Sequence, residues 1–341
     1  MRYSFPAAAV ILFAASLCVY AGVPARAVRV RVGYFPDVVH AAAIAGRENG
    51  AFKDKLGGGA EIDWKVFNAG PSVIEALFAG EIDIAYVGPN PAVNGFIKSK
   101  GKALRIICGA ASGGAGLVVR KDSGISGPKD LKGKRIATPQ LGNTQDVACR
   151  TWLKAQGLDT AEKGGTVSVI PVSNPDQLTL FIKKEIDGAW TKEPWVSRLI
   201  VEGGGTLLYD ERALWPGGEF VTATVIVRTD FLREHPDIVK SWIASHVELT
   251  LWINANPAAA RELVNAGIKR VTGRKLGENV ISGAFSRTTI TCDPVKSSLF
   301  KSADDAYALG FLGKDKPDLK DIFDLTLLNE VLKEKGLKLI Q

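Results

Sequence analysis

Residues Val28–Tyr34 alternate apolar side chains with arginine and glycine, the period of a half-buried strand. Short apolar runs and segments of helical period then follow one another, separated by Gly and Pro. The pattern predicts strands at 62–67, 82–87 and 104–110 and helices at 71–79 and 91–98. It restarts at Lys134, with strands at 135–138, 166–172 and 188–191 and helices at 144–156, 177–184 and 195–202. Strands alternating with helices of this length predict parallel sheets joined by right-handed crossovers. Between the two series lie 117–120 and a polar Gly/Ser/Lys segment, 121–134, which reads as a crossover. After a loop at 215–219, residues 220–229 form a long β-branched strand. From Asp230 onward the chain reads as almost wholly helical, and Ile238, Trp242, Val247, Leu249 and Ile253 fall on one helix face that stops at Asn256-Pro257.

The two series echo each other. Shifting the chain by 104 residues aligns PSVIEALFAGEIDIAY (71–86) with PDQLTLFIKKEIDGAW (175–190) without a gap. Pro71 meets Pro175, Glu81-Ile82-Asp83 meets Glu185-Ile186-Asp187, Ala85 meets Ala189, and the aromatic Tyr86 meets Trp190. Such agreement predicts two lobes of the same wiring, and 341 residues exceed what one core usually serves.

Composition changes this picture at the N-terminus. Between Arg2 and Arg26 runs an uncharged apolar stretch of signal-peptide length, ending in the small-x-small pattern Ala25-Arg26-Ala27. Residues 1–27 are therefore expected to be an export leader, with the mature chain periplasmic. Cys18 follows Leu17, not the small residue that lipoprotein processing requires. Removing the leader takes away two arginines and lowers the formal charge from +7 to +5. That excess is compatible with an anionic solute, and no Lys/Arg block resembles a nucleic-acid arm. Cys108, Cys149 and Cys292 remain, permitting at most one disulfide. Without a C-x-x-C spacing they indicate neither a zinc site nor a redox motif. No metal and no cofactor is expected.

In open α/β sheets ligands bind at the carboxyl ends of strands, where helices start. Those junctions hold Phe35-Pro36-Asp37 with His40, then Asn68-Ala69-Gly70-Pro71-Ser72, then Gly88-Pro89-Asn90-Pro91. Ser112-Gly113-Gly114 follows the fourth strand, Asn143-Thr144-Gln145 opens the first helix of the second series, and Trp190 to Trp195 closes its third strand. Gly admits close approach of backbone, and Pro in the first turn removes an unwanted donor. Free N–H groups and aligned dipoles at such starts form a receptor for a small anion. Ordinary capping would place some of the same residues there; six junctions on the same sheet edges favour a binding site. His40 either donates to a ligand oxygen or caps a helix. Glu193 suits a ligand amine or is a surface acid, and Trp190 either walls an apolar stem or packs its lobe. No G-x-S-x-G, H-E-x-x-H or P-loop occurs, so no enzyme activity is expected.

GYFPDVVHA, VFNAGPSVIEALFAGEIDIAYVGPNPAVNG and GAASGGAGLVVR resemble the substrate-binding proteins of ABC importers for aliphatic sulfonates, taurine and nitrate, related to the thiamine-pyrimidine precursor binders. The resemblance spans the mature chain. It implies a type II periplasmic-binding fold: two α/β lobes, a central cleft and a two-strand hinge, with residues 28–118 and 220–341 in one lobe and 119–219 in the other. It also implies a monomer that captures a small anion, most simply an aliphatic sulfonate, by hinge closure and delivers it to a permease driven by a separate ATPase. By position, the ligand loops would be Phe35-Pro36, Gly70-Pro71-Ser72, Gly88-Pro89-Asn90, Ser112-Gly113-Gly114, Asn143-Thr144-Gln145, and Trp190 with Glu193. The family often has Trp directly before an acid-Pro pair; here two residues intervene before Glu193-Pro194, so the specificity loop is expected to differ. Alternatives sharing the fold are a nitrate or pyrimidine-precursor receptor, a sensory receptor, and a pyrimidine-synthesising enzyme.

Overall fold

The computed structural model describes Met1 and residues 27–341, so the expected leader lies almost wholly outside the described residues. The strands are β1 (Val28–Tyr34), β2 (Ala60–Val66), β3 (Ile84–Val87), β4 (Leu104–Gly113), β5 (Ala115–Val119), β6 (Arg135–Thr138), β7 (Ser168–Pro171), β8 (Gly188–Lys192), β9 (Thr206–Asp210), β10 (Val221–Arg228) and β11 (Thr288–Ile290). The helices are α1 (Ala41–Asn49), α2 (Ala51–Leu56), α3 (Gly70–Phe78), α4 (Pro89–Lys98), α5 (Thr144–Ala155), α6 (Asn174–Ile182), α7 (Trp195–Val201), α8 (Thr229–Glu234), α9 (Pro236–Ala255), α10 (Pro257–Thr272), α11 (Glu278–Arg287), α12 (Lys296–Ala308) and α13 (Thr326–Glu334).

They form two sheets, ordered β11-β4-β10-β3-β1-β2 and β7-β6-β8-β5-β9. In the first, β2, β1 and β3 are parallel while β10 runs antiparallel to both β3 and β4. In the second, β7, β6 and β8 are parallel while β5 runs antiparallel to both β8 and β9. The sheets are thus mixed, correcting the all-parallel expectation. Strand–helix alternation specifies the βαβ units but carries no information about a returning strand inserted beside them, as β10 is between β3 and β4.

The sequence echo has a structural counterpart at the same spacing of 104. Asp83 N–H donates to Arg31 O at 2.8 Å, and its carboxylate accepts from Arg31 N–H at 2.9 Å and from the Arg228 guanidinium at 2.8 Å. Asp187 N–H donates to Arg135 O at 2.8 Å, and its carboxylate accepts from Arg135 N–H at 2.8 Å and from Arg120 at 3.2 Å. In each lobe one aspartate pins the first strand to the third and to the antiparallel neighbour. Asp83 is fully buried. Burial works to raise its carboxyl, but the Arg31 and Arg228 hydrogen bonds outweigh that and hold it below the usual aspartate range. Asp83→Asn is expected to cost about 2 kcal/mol of stability at neutral pH, the scale of lost charge-assisted hydrogen bonds. Because the folded pKa is depressed, this contribution is present at neutral pH and lost as pH falls into the aspartate range. Urea unfolding should show the gap between wild type and variant closing in acid.

Among the described residues, two apolar clusters pack on each sheet, one of those on the first sheet also taking in Val147 of α5. The chain leaves the first sheet at Gly113-Gly114, both at positive φ (75° and 71°), where a Cβ on Gly113 would lie 2.5 Å from the Arg212 guanidinium. The expected boundary at 118/119 falls inside β5, whose whole length pairs in the second sheet. The polar segment 121–134 accordingly lies within the second lobe and is not the crossover. The chain returns after β9 through two short 3-10 turns, Glu211–Leu214 and Pro216–Gly218, into β10. The expected two-strand hinge is therefore one strand–Gly–Gly–strand passage and one looped passage, joined where Gly113 N–H donates to Phe220 O.

Candidate functional site

Three helix starts face one another across the lobes. α3 opens at Gly70 after extended Ala69, α4 at Pro89 after extended Gly88, and α5 at Thr144 after extended Asn143, whose Oδ1 accepts from Asp146 N–H at 2.8 Å. Helix geometry leaves the N–H groups of Gly70, Ser72, Asn90, Thr144 and Gln145 without intrahelical acceptors, and Pro71, Pro89 and Pro91 have no N–H. A side chain would collide at two of these places. A Cβ on Gly70 would lie 2.3 Å from Pro91, and one on Gly88 would lie 2.4 Å from Thr144 Oγ1 in the other lobe.

Between these starts is a narrow cavity of about 10 Å³, room for roughly one water molecule. Of the residues expected at the site, Phe35, His40, Gly70, Gly88, Asn143, Thr144 and Gln145 are brought together around it, with Lys192 and Thr222 added and Asn68, Ala69, Pro91 and Pro139 completing the wall. Thr144 Oγ1 is buried and has no hydrogen-bond partner, a donor and acceptor that costs stability unless something meets it. His40 stacks on Phe35 at 4.5 Å, and its Nδ1 accepts from Phe35 N–H at 3.0 Å. Burial pushes its pKa down to about 3, so the ring is neutral and its proton sits on Nε2. His40 is thus held by Phe35 and offers a neutral N–H; it caps no helix by side-chain hydrogen bond.

Lys192 is the residue that sequence reasoning passed over. Its ammonium, at the end of β8, is ion-paired with Asp37 of the first lobe and lies 4.9 Å from the Phe35 ring centroid. Trp195 Nε1–H donates to the other Asp37 oxygen at 3.1 Å. A second bridge between lobes joins Arg287 of α11 to Glu193 at 3.2 Å. These contacts, with Gly88 against Thr144, describe a closed arrangement.

Several expected residues lie elsewhere. Trp190 is fully buried in the second-lobe core, 5.4 Å from the Trp152 ring, and its indole N–H donates to Glu211 at 2.8 Å. It walls no cleft: its ring packs inside the second lobe, in one cluster with Leu117, Ile136 and Trp152. Glu193 does not face the cavity either. Its carboxylate accepts from Ser197 N–H and Oγ–H at 3.1 and 3.0 Å and from Arg287, while burial pushes it up to about 7 against those partners. Asn90 is committed to α12 through Ser302, Nδ2 to the backbone oxygen at 3.1 Å and Oδ1 from the hydroxyl at 2.7 Å. Pro36, Pro71, Ser72 and Pro89 shape the turns without lining the cavity. Ser112, Gly113 and Gly114 form the lobe crossing, not a ligand loop, because β4 continues to Gly113 and β5 begins at Ala115.

Comparison with known proteins agrees with this architecture. A family model described as the NMT1-like family matches residues 24–268. The taurine-binding periplasmic protein of Escherichia coli (strain K12) is 30% identical over 233 residues, 68% of this chain and 69% of the relative. A putative aliphatic sulfonates-binding protein of Bacillus subtilis (strain 168) is 27% identical over 300 residues, 84% of each chain. Among solved structures, the alkanesulfonate-binding protein of Xanthomonas axonopodis pv. citri, bound to MOPS, superposes with a TM-score of 0.70 at 21% identity, covering 84% of this chain and 94% of that one. At that identity the likeness is one of fold: two α/β lobes of the periplasmic-binding type.

Proposed function

Because the chain belongs to the NMT1-like family, we propose that it is the extracytoplasmic receptor of an ABC importer, capturing an aliphatic sulfonate between two closing lobes. The observation that carries this reading is the buried, unpartnered Thr144 Oγ1 at the point where α3, α4 and α5 start. Three helix N-termini supply partial positive charge and free N–H groups, and a sulfonate presents three oxygens to receive them. Phe35 and the stem of Lys192 give an apolar neighbour for a short alkyl chain. The closed cavity is too small for such a solute, so entry requires the lobes to part and the Lys192 head to move. The solute then favours closure by the contacts it makes only when α5 reaches it. Relatives named as binding proteins support a receptor over an enzyme; the apolar N-terminal stretch and a relative named as periplasmic support export. A permease and its ATPase are the partners this role entails.

Isothermal titration tests the class. Alkanesulfonates are expected to bind, with taurine and nitrate compared and a sugar as control; binding of the sugar alone would refute the reading. Lys192 adds a pH signature. Burial pushes its ammonium down to about 7, and an anionic solute gains from the protonated form. Asp37 beside the ammonium opposes the effect of burial, so affinity is full at and below about pH 7 and falls as pH rises above it, while an alkanesulfonate stays ionised throughout. Lys192→Met should weaken binding roughly tenfold or more, the scale of one charged hydrogen bond, and flatten the profile. An unchanged profile would remove Lys192 from the site.

A further inference from the structure

Two of the three cysteines beyond the leader meet in the first lobe. Cys108 lies mid-way along β4, and Cys292 follows β11 on the strand's antiparallel neighbour. Gly109 N–H donates to Cys292 O at 2.8 Å, and the Cys108 thiol points at the same oxygen at 3.4 Å. The approach depends on glycine, since a Cβ on Gly109 would lie 2.2 Å from Asp293 O. The two sulfurs and a His246 ring nitrogen all lie within 4.8 Å of one another. Such a trio could hold a thiophilic metal, but both nitrogens of His246 are occupied. Nε2–H donates to Gly109 O at 2.9 Å, so Nδ1 is the acceptor for the Tyr86 hydroxyl at 3.0 Å. Cys149 sits buried in the other lobe's core.

We propose that Cys108 and Cys292 form a disulfide in the exported chain, stapling the strand that leads into the lobe crossing to the segment returning from α11. The inference rests on the extracytoplasmic location proposed above. Cys292 is half-buried along an open surface groove, whereas Cys108 is fully buried. The neighbouring Cys108 thiol holds Cys292 below the usual thiol range, which makes it the attacking thiolate. It attacks an exogenous disulfide and releases one thiolate. Cys108 then loses its proton and attacks the Cys292 sulfur, releasing the second. Two protein thiols and one small disulfide become one protein disulfide and two small thiols. The sulfurs, now within 4.8 Å of each other, must close to about 2.05 Å.

The test is peptide mapping of the purified, reduced chain after incubation with oxidised glutathione. The expected result is a Cys108–Cys292 linkage with Cys149 recovered alkylated. Three alkylated or glutathionylated cysteines, a linkage to Cys149, or a metal ion retained in the native mass spectrum would overturn it. As a second measure, reduction should lower the melting temperature of the oxidised wild type by roughly 5–10 °C, since the link spans a long loop, and leave Cys292→Ser unmoved. No shift in the wild type would count against the staple. Cell fractionation separates this from the export reading: a cytoplasmic chain that still forms the linkage in glutathione refutes export and keeps the disulfide chemistry.

Discussion

Gly88→Ala should weaken solute binding roughly tenfold or more while barely changing the stability of the unliganded fold. Gly88 precedes α4 at φ −68° and ψ 158°, extended backbone that alanine adopts without strain. The added methyl meets an obstacle only across the lobes, 2.4 Å from Thr144 Oγ1. Overpacking of that kind costs about 1–3 kcal/mol, and here the cost falls on the closed state alone. Thr144→Ala removes the oxygen and leaves Cβ at 3.4 Å, an ordinary contact. Thr144→Ala by itself should weaken binding through the lost hydroxyl. In that background Gly88→Ala should cost little more. Titrations of the four proteins form a double-mutant cycle, with an expected coupling of about 1 kcal/mol or greater. Strict additivity would mean that the two residues do not meet in the bound state.

Trp190→Ala has the largest expected effect on stability, a loss of roughly 3–5 kcal/mol. Its ring is wholly buried against Trp152, and its N–H is the nearest partner of Glu211, itself only 1% exposed. Burial pushes Glu211 up to about 7, opposed by hydrogen bonds from Trp190 and Trp215, so losing the indole leaves a buried carboxyl with the longer Trp215 contact at 3.4 Å. Trp190→Phe keeps most of the packed area and loses only the N–H; it should cost about 1–2 kcal/mol. Urea unfolding measures both. A tryptophan walling the cleft would behave in the opposite way, with affinity lost and stability kept.

The contrast between Trp190 and Lys192 shows what the chain made legible. Local patterning was sufficient for β1 and β6, for helix starts at Thr144 and Trp195, and for the repeat built on Asp83 and Asp187, because those depend on residues close in sequence or on a spacing that recurs. The carboxyl ends of β1, β2, β3 and β6 supplied most of the cavity wall, since a junction of Gly, Pro and amide or hydroxyl residues marks a helix start wherever it lies. The Lys192–Asp37 pair was hidden, its members being 155 positions apart and meaningful only once the lobes face each other. Trp190 shares a strand face with Lys192 two residues on, and periodicity did not say which of the two reaches the other lobe. β9, a five-residue edge strand, had too weak an alternation to separate from loop, and β10 carried no sign of inserting between β3 and β4. Gly113-Gly114 read as a ligand loop because a glycine pair serves close approach and chain crossing equally well.

The most direct measurement is an amide-resolved titration of the deuterated, nitrogen-labelled chain with a short alkanesulfonate. Backbone N–H signals of Gly70, Thr144 and Gln145, drawn from both lobes, should move downfield together and saturate at one solute concentration. Shifts confined to one lobe, or absent at these helix starts while the solute binds, would contradict a pocket made by converging peptide dipoles.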